Sequence, residues 1–119
     1  MKRERRIDYV EFASRDPAAS RAFFEQVFGW QFEDYGPDYT AFDDGQLQGG
    51  FFRAVPVTAQ AGAPLVVLYA AQLAPVQAAV LANGGEVIKP VFAFPGGRRF
   101  QFVEPGGNEL AVWSERDSD

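Results

Sequence analysis

Asp16-Pro17-Ala18-Ala19-Ser20-Arg21-Ala22-Phe23-Phe24-Glu25-Gln26-Val27-Phe28-Gly29-Trp30-Gln31-Phe32 is an amphipathic stretch, a glycine stop and the start of a strand. The plan recurs as Gln72-Leu73-Ala74-Pro75-Val76-Gln77-Ala78-Ala79-Val80-Leu81-Ala82-Asn83-Gly84-Gly85-Glu86-Val87-Ile88. Asp16 and Gln72 lie 56 positions apart, as do Gly29 and Gly85. One strand-like run precedes each helix and three follow it, so the chain holds two βαβββ units.

Working outward, Ile7 to Ala13 alternates as a strand, with Val10 and Phe12 on one face and Tyr9, Glu11 and Ala13 on the other. Asp16 suits a helix N-cap and Pro17 the first helical position, where a missing amide proton costs little. The helix runs to Phe28, with Ala19, Ala22, Phe23, Phe24 and Val27 as its buried stripe, and Gly29 ends it in a left-handed conformation. Strands follow at Trp30–Tyr35, Tyr39–Phe42 and Gln46–Arg53. The second unit has a strand at Leu65–Ala70, a helix at Leu73–Ala82, a hairpin of Glu86–Phe94 with Arg98–Val103, and a last strand at Glu109–Ser114. The expected organisation is one domain over 1–119: module one at about 6–54, a connector at 55–63 and module two at about 64–115. The charged tail from Glu115 to Asp119 is expected to fray.

Composition narrows the chemistry. With 119 residues, 47% of them hydrophobic, and twelve phenylalanines, the chain can build a real core without covalent staples. It has no cysteine, which excludes disulfides and thiolate sites, and no histidine, which removes the commonest metal ligand and neutral-pH proton carrier. A net charge of −5 argues against nucleic acid as a partner. The basic Lys2-Arg3-Glu4-Arg5-Arg6 reads as a solvated lead-in to the first strand; a weak nucleic-acid arm or a targeting signal are its rivals. No signal-peptide core or membrane-length apolar run is evident, so a cytoplasmic location without membrane contact is expected.

Tyr9-Val10-Glu11-Phe12 with Asp16-Pro17, Phe23-Phe24-Glu25 and Val27-Phe28-Gly29-Trp30 resembles the first module of the vicinal oxygen chelate superfamily. That group includes glyoxalase I, bleomycin-resistance proteins, fosfomycin-resistance enzymes and extradiol dioxygenases. Asn83-Gly84-Gly85 and Glu104-Pro105-Gly106-Gly107-Asn108 with Leu110 and Trp113 resemble its second module. The resemblance spans roughly Ile7 to Glu115 and implies an α+β fold: two paired βαβββ modules forming an incomplete eight-stranded barrel, or cup, of glyoxalase/bleomycin-resistance type. Fold and function separate readily in such families.

Metal-dependent members of that superfamily take ligands from the first and last strand of each module. Carried across, those positions are Tyr9, Gly50, Leu65 and Ala111. Leucine, alanine and glycine side chains carry no donor atom, and tyrosine is a rare ligand for a divalent ion. Admitting Gln48 in place of Gly50 still leaves three positions empty, so neither a metal nor another cofactor is expected.

Among the remaining candidates Glu11 stands first, because it shares the strand face of Tyr9. A carboxylate in an aromatic concavity tends toward a raised pKa and can serve as a general base. The plainer reading is an ion pair with Arg53 or Arg99, or a place at the wet rim. Val67, Tyr69 and Trp113 fall in the second module's inner strands, and the two aromatics suit stacking on a planar ligand or packing in a core or dimer. Gln48 and Phe52 have the register to join them. Gly49-Gly50 suits either close approach of a ligand to the backbone or a bend in the strand. Pro95-Gly96-Gly97-Arg98-Arg99 opens no helix and reads as a hairpin turn rather than a phosphate loop.

The favoured expectation is a metal-free homodimer that binds a small, partly apolar molecule. Two rivals stay open: an enzyme using Glu11 or an atypical oxygen-ligand metal site, and a structural or regulatory module whose cup is filled by its own side chains.

Overall fold

The computed structural model describes residues 2–115. Beyond Glu115 the tail expected to fray lies outside the described residues. Module one consists of β1 (Tyr9–Ser14), α1 (Pro17–Phe28), β2 (Gln31–Asp34), β3 (Tyr39–Asp43) and β4 (Gln48–Arg53). A single 3-10 turn at Ala59–Ala61 interrupts the connector. Module two consists of β5 (Val66–Tyr69), α2 (Leu73–Ala82), β6 (Glu86–Phe94), β7 (Gly97–Val103) and β8 (Glu109–Ser114).

The two modules form equivalent four-stranded sheets, ordered β1-β4-β3-β2 and β5-β8-β7-β6. In each, the first strand pairs parallel with the last and the other pairings are antiparallel. The result is an open, cup-like pair of sheets in which β1 and β5 are edge strands. Among the described residues no helix is long and apolar enough to cross a membrane.

Local chemistry sets the element ends. Asp16 caps α1 by accepting from the Ala19 amide at 3.2 Å, and Gly29 closes the helix at φ 72°. β4 begins at Gln48 rather than Gln46. The Asp44 carboxylate accepts from the Gln46 and Leu47 amides at 2.8 and 2.7 Å, holding both in the turn.

The core is built from phenylalanine. Phe24 stacks on Trp30 at 4.5 Å and on Phe51 at 5.3 Å, while Phe12 stacks on Phe51 at 5.2 Å. Phe23 and Phe28 of α1 meet Phe102 of β7 at 5.7 and 6.1 Å, so one helix packs against both modules. Each such ring contributes about 1.5–3 kcal/mol through burial. The helix stripe departs from expectation at one row: Ala22 is exposed, and Ser20 is fully buried instead.

Ser20 is buried because it belongs to a polar clasp between the modules. Its hydroxyl pairs with Ser14 Oγ at 2.7 Å and donates to Glu104 Oε1 at 2.8 Å. Glu104 also accepts from the Gly106 amide at 2.6 Å, the Asn108 amide at 3.3 Å and Asn108 Nδ2 at 2.7 Å. Asn108 Nδ2 further donates to the Ala13 carbonyl, and the Arg15 amide donates to the Gly106 carbonyl. The Glu104–Asn108 turn is thereby locked onto the end of β1. Gly106 is required there, since a Cβ would lie 2.2 Å from both serine hydroxyls.

Candidate functional site

On each sheet one face packs against its helix and the other lies free of it. In module one, Phe12, Phe42 and Phe51 occupy the helix face. Strand alternation places Tyr9 and Glu11 (β1), Gln48, Gly50 and Phe52 (β4), and Tyr39 and Ala41 (β3) on the other. Tyr9 pairs in register with Gln48, and Glu11 with Gly50.

The centre of this face is a residue that the sequence reading passed over. The Tyr39 hydroxyl lies 2.6 Å from Tyr9 Oη and donates to Glu11 Oε2 at 2.9 Å. Its ring crosses over Gly50, where a Cβ would lie 2.1 Å from the Tyr39 oxygen and 2.4 Å from Cζ. Gly50 is therefore a seat for an aromatic ring. β4 pairs without a bulge on both sides, so the glycine pair marks no bend, and the ring covers the backbone a ligand would have approached. Burial, then the hydrogen bonds to Tyr9 and Glu11, push the Tyr39 phenol well above its ordinary value of 10.0. Tyr39 is thus a neutral hydrogen-bond donor throughout the physiological range.

Glu11 is exposed and its carboxylate accepts from Tyr39. Neither arginine considered for it is its partner. Arg53 Nε donates to Asp38 at 2.7 Å, and Arg99 donates to Gln101 Oε1 at 3.3 Å.

In module two the corresponding face carries Val67 and Tyr69 (β5), Glu109, Ala111 and Trp113 (β8), and Arg99 and Gln101 (β7). Trp113 meets Tyr69 edge-on at 5.3 Å and Phe94 at 6.3 Å. The Tyr69 hydroxyl donates to Glu115. Arg99 lies over the rings of Phe92 and Phe94 at 5.2 and 5.7 Å. Gln101 Nε2 donates to Glu109 Oε2 at 3.0 Å, so Arg99, Gln101 and Glu109 form a polar row beside Ala111.

Four of the expected site residues line two depressions, while Glu11 and Tyr69 line two others. One of about 480 Å³ is lined by Tyr9 and Gln48 together with Gln31, Glu33 and Tyr35. The other, of about 360 Å³, is lined by Val67, Trp113, Phe94 and Arg99. Leu65 is half-buried just before β5 begins, Ala111 is fully buried, and Phe52 is exposed. Sequence reasoning missed Tyr39, Arg99, Gln101 and Glu109 as cup-face groups. The signal was available for the last three, because Glu109 shares the period-two face of Ala111, and β7 pairs against it.

The donor set does not fit the divalent ion that the superfamily's chemistry implies. Leu65 and Ala111 offer no donor, Gly50 lies beneath the Tyr39 ring, and the Tyr9 oxygen is engaged by Tyr39. Among the described residues no group of three or more Asp or Glu side chains could hold a metal ion.

A family model for the Glyoxalase/Bleomycin resistance protein/Dioxygenase superfamily matches residues 6–112. Among solved structures, a glyoxalase-related enzyme from Fulvimarina pelagi superposes with a TM-score of 0.76 at 18% identity, covering 92% of this chain and 88% of that one. The fosfomycin resistance protein FosX of Mesorhizobium loti gives 0.76 at 15% identity, with 94% and 93% covered. A lactoylglutathione lyase from Agrobacterium tumefaciens gives 0.69 at 19% identity, with 95% and 96% covered. At these identities the likeness is one of fold. Among curated proteins none matches significantly. On the match over residues 6–112, the chain belongs to the Glyoxalase/Bleomycin resistance protein/Dioxygenase superfamily.

Proposed function

We infer that this chain is a small-molecule-binding member of its superfamily, using stacking and hydrogen bonds where relatives of the chelating type use a metal. The observation that carries the reading is the Tyr39 ring seated over Gly50 with its hydroxyl joined to Tyr9 and Glu11. It converts a chelating position into an aromatic wall with a fixed polar edge. Tyr9, Glu11, Tyr39 and Gln48 supply hydrogen bonds on one side, and Tyr69, Val67, Phe52 and Trp113 supply apolar contact. Both depressions exceed the roughly 300 Å³ at which small-molecule pockets begin, which weighs against a self-filled cup.

The same residues argue for a homodimer. Tyr9, Phe52, Val67 and Tyr69 are 43%, 40%, 42% and 51% exposed, and Ile7 beside β1 is 78% exposed. β1 and β5 are also edge strands, the position at which a sheet can meet another chain. A two-fold pairing of module one with the partner's module two would cover these surfaces and join the two half-sites into one cup.

An enzymatic reading keeps one specific support: Glu11 makes its hydrogen bond through Oε2, leaving Oε1 to meet a substrate proton. Native mass spectrometry of freshly purified protein tests the binding reading. The expected spectrum is a dimer of the 13.1 kDa chain carrying an organic adduct that Tyr39→Phe loses. A monomer without adduct contradicts it. Retention of the adduct in Glu11→Gln, with turnover of that compound abolished, would favour the enzyme instead.

A further inference from the structure

The Pro95-Gly96-Gly97-Arg98-Arg99 turn delivers a cation whose bonding is incomplete. A guanidinium carries five N–H donors. Among the described residues that of Arg99 makes one hydrogen bond, from Nη2 to Gln101 Oε1 at 3.3 Å, and no ion pair. Gln101 in turn donates to Glu109, so the arginine and that carboxylate are linked through an amide. Arg99 Nε is buried without a partner and closed to any outside group, which leaves the Nη nitrogens for a ligand.

The surroundings are cationic and aromatic. Arg99 lies over Phe92 and Phe94 at 5.2 and 5.7 Å, and Lys89 Nζ lies over Phe92 as well, at 5.5 Å. Two cations thus share one ring, in a chain whose net charge is −5. The rings attract the charge through their faces but bring no lone pair to the N–H groups. Arg99 is half-buried and pairs in register with Trp113 across β7 and β8. The two line the depression of about 360 Å³ together with Val67, Phe94 and Gly96, and no carboxylate lines it.

We propose that this depression takes a planar aromatic carboxylate. The Arg99 Nη groups hold the carboxylate, and Trp113, Phe94 and Val67 contact the ring. A guanidinium presents its donors as a planar fork that matches a carboxylate, and aromatic walls suit a flat apolar body. The assignment rests on the cup reading above and names its ligand class. It places the anion on module two, to which all five lining residues belong, and leaves the Tyr9–Tyr39–Glu11 group to meet the far side of the ligand.

The test is isothermal titration of the full chain with 2-naphthoate, ionised at neutral pH, and with its neutral isostere 2-naphthamide. One naphthoate per chain is expected to bind, at least about tenfold more tightly than the amide. Arg99→Met should erase that preference, whereas Trp113→Leu should weaken both compounds alike. The preference reads Arg99, and the affinity common to both compounds reads the cup, so Tyr39→Phe should weaken both and keep their ratio. Melting temperature serves as the folding control. If Arg99→Met fails to fold, the wild-type preference and its decline with added salt carry the test. Equal binding of the two compounds, or a preference that survives in folded Arg99→Met, would overturn the ligand class and leave the cup reading standing. Absence of binding by either compound would overturn the proposal as well. An intact preference with no effect of Tyr39→Phe would support the proposal and count against the cup reading alone.

Discussion

Glu104→Ala is expected to cost about 4 kcal/mol of stability, a large share of the roughly 5–15 kcal/mol available to a domain of this size. The side chain is buried and accepts from Ser20 Oγ, two backbone amides and Asn108 Nδ2. Truncation strands four donors at once, each losing about 1–3 kcal/mol where water cannot replace the carboxylate. Partial hydration of the new cavity brings the sum down. The loss should loosen the junction between modules more than either sheet, because the clasp ties α1 and the end of β1 to the β7–β8 turn. Urea unfolding checks the magnitude, and hydrogen exchange at Arg15 and Gly106 checks the location. A midpoint unchanged from wild type would mean that the modules are held by the phenylalanine contacts alone.

The adjacent glycines of β4 are expected to fail in different ways. A Cβ on Gly49 would lie 2.2 Å from the Val10 carbonyl oxygen and 2.3 Å from the Phe42 ring. The carbonyl belongs to the neighbouring strand and cannot move without breaking the sheet, so Gly49→Ala should cost about 3 kcal/mol or more. The three atoms nearest a Cβ on Gly50 all belong to the end of the Tyr39 side chain. That ring can swing away, so Gly50→Ala should cost about 1 kcal/mol while dismantling the Tyr9–Tyr39–Glu11 group.

Alkaline titration reads the second effect. The Tyr39 phenol is held above its usual value of 10.0, so its neutral form and the associated stability persist below pH 10 and disappear only as pH rises through the raised value. Once expelled, the ring should ionise near the ordinary value. At about pH 11 the Gly50→Ala protein should therefore show about one more tyrosinate than wild type. Identical titrations with retained circular dichroism would remove Tyr39 from the centre of the site.

Much of the fold was legible because two signals repeat. The Asp16 cap and the Gly29 stop leave little freedom in α1, and the 56-residue recurrence extends the same reading to α2. Period-two alternation placed Tyr9 and Glu11 on one face of β1. Ser20 was misjudged because burial of a serine depends on a partner 84 positions away, which helical periodicity cannot register. Tyr39 was missed for a related reason. Its role is set by the missing side chain at Gly50, and an empty position looks like a lost function until the ring that fills it is seen. Glu109 was hidden in the turn-to-strand junction, where a carboxylate is read by default as solvated.

The most direct test of a cup that recognises without chelating is metal analysis of protein purified without chelator and then dialysed against equimolar zinc, nickel and manganese. The account predicts far less than one ion per chain, with no change when Tyr9 is replaced by phenylalanine. One tightly held ion per chain, lost on substitution of Tyr9, Glu11 or Glu109, would contradict it.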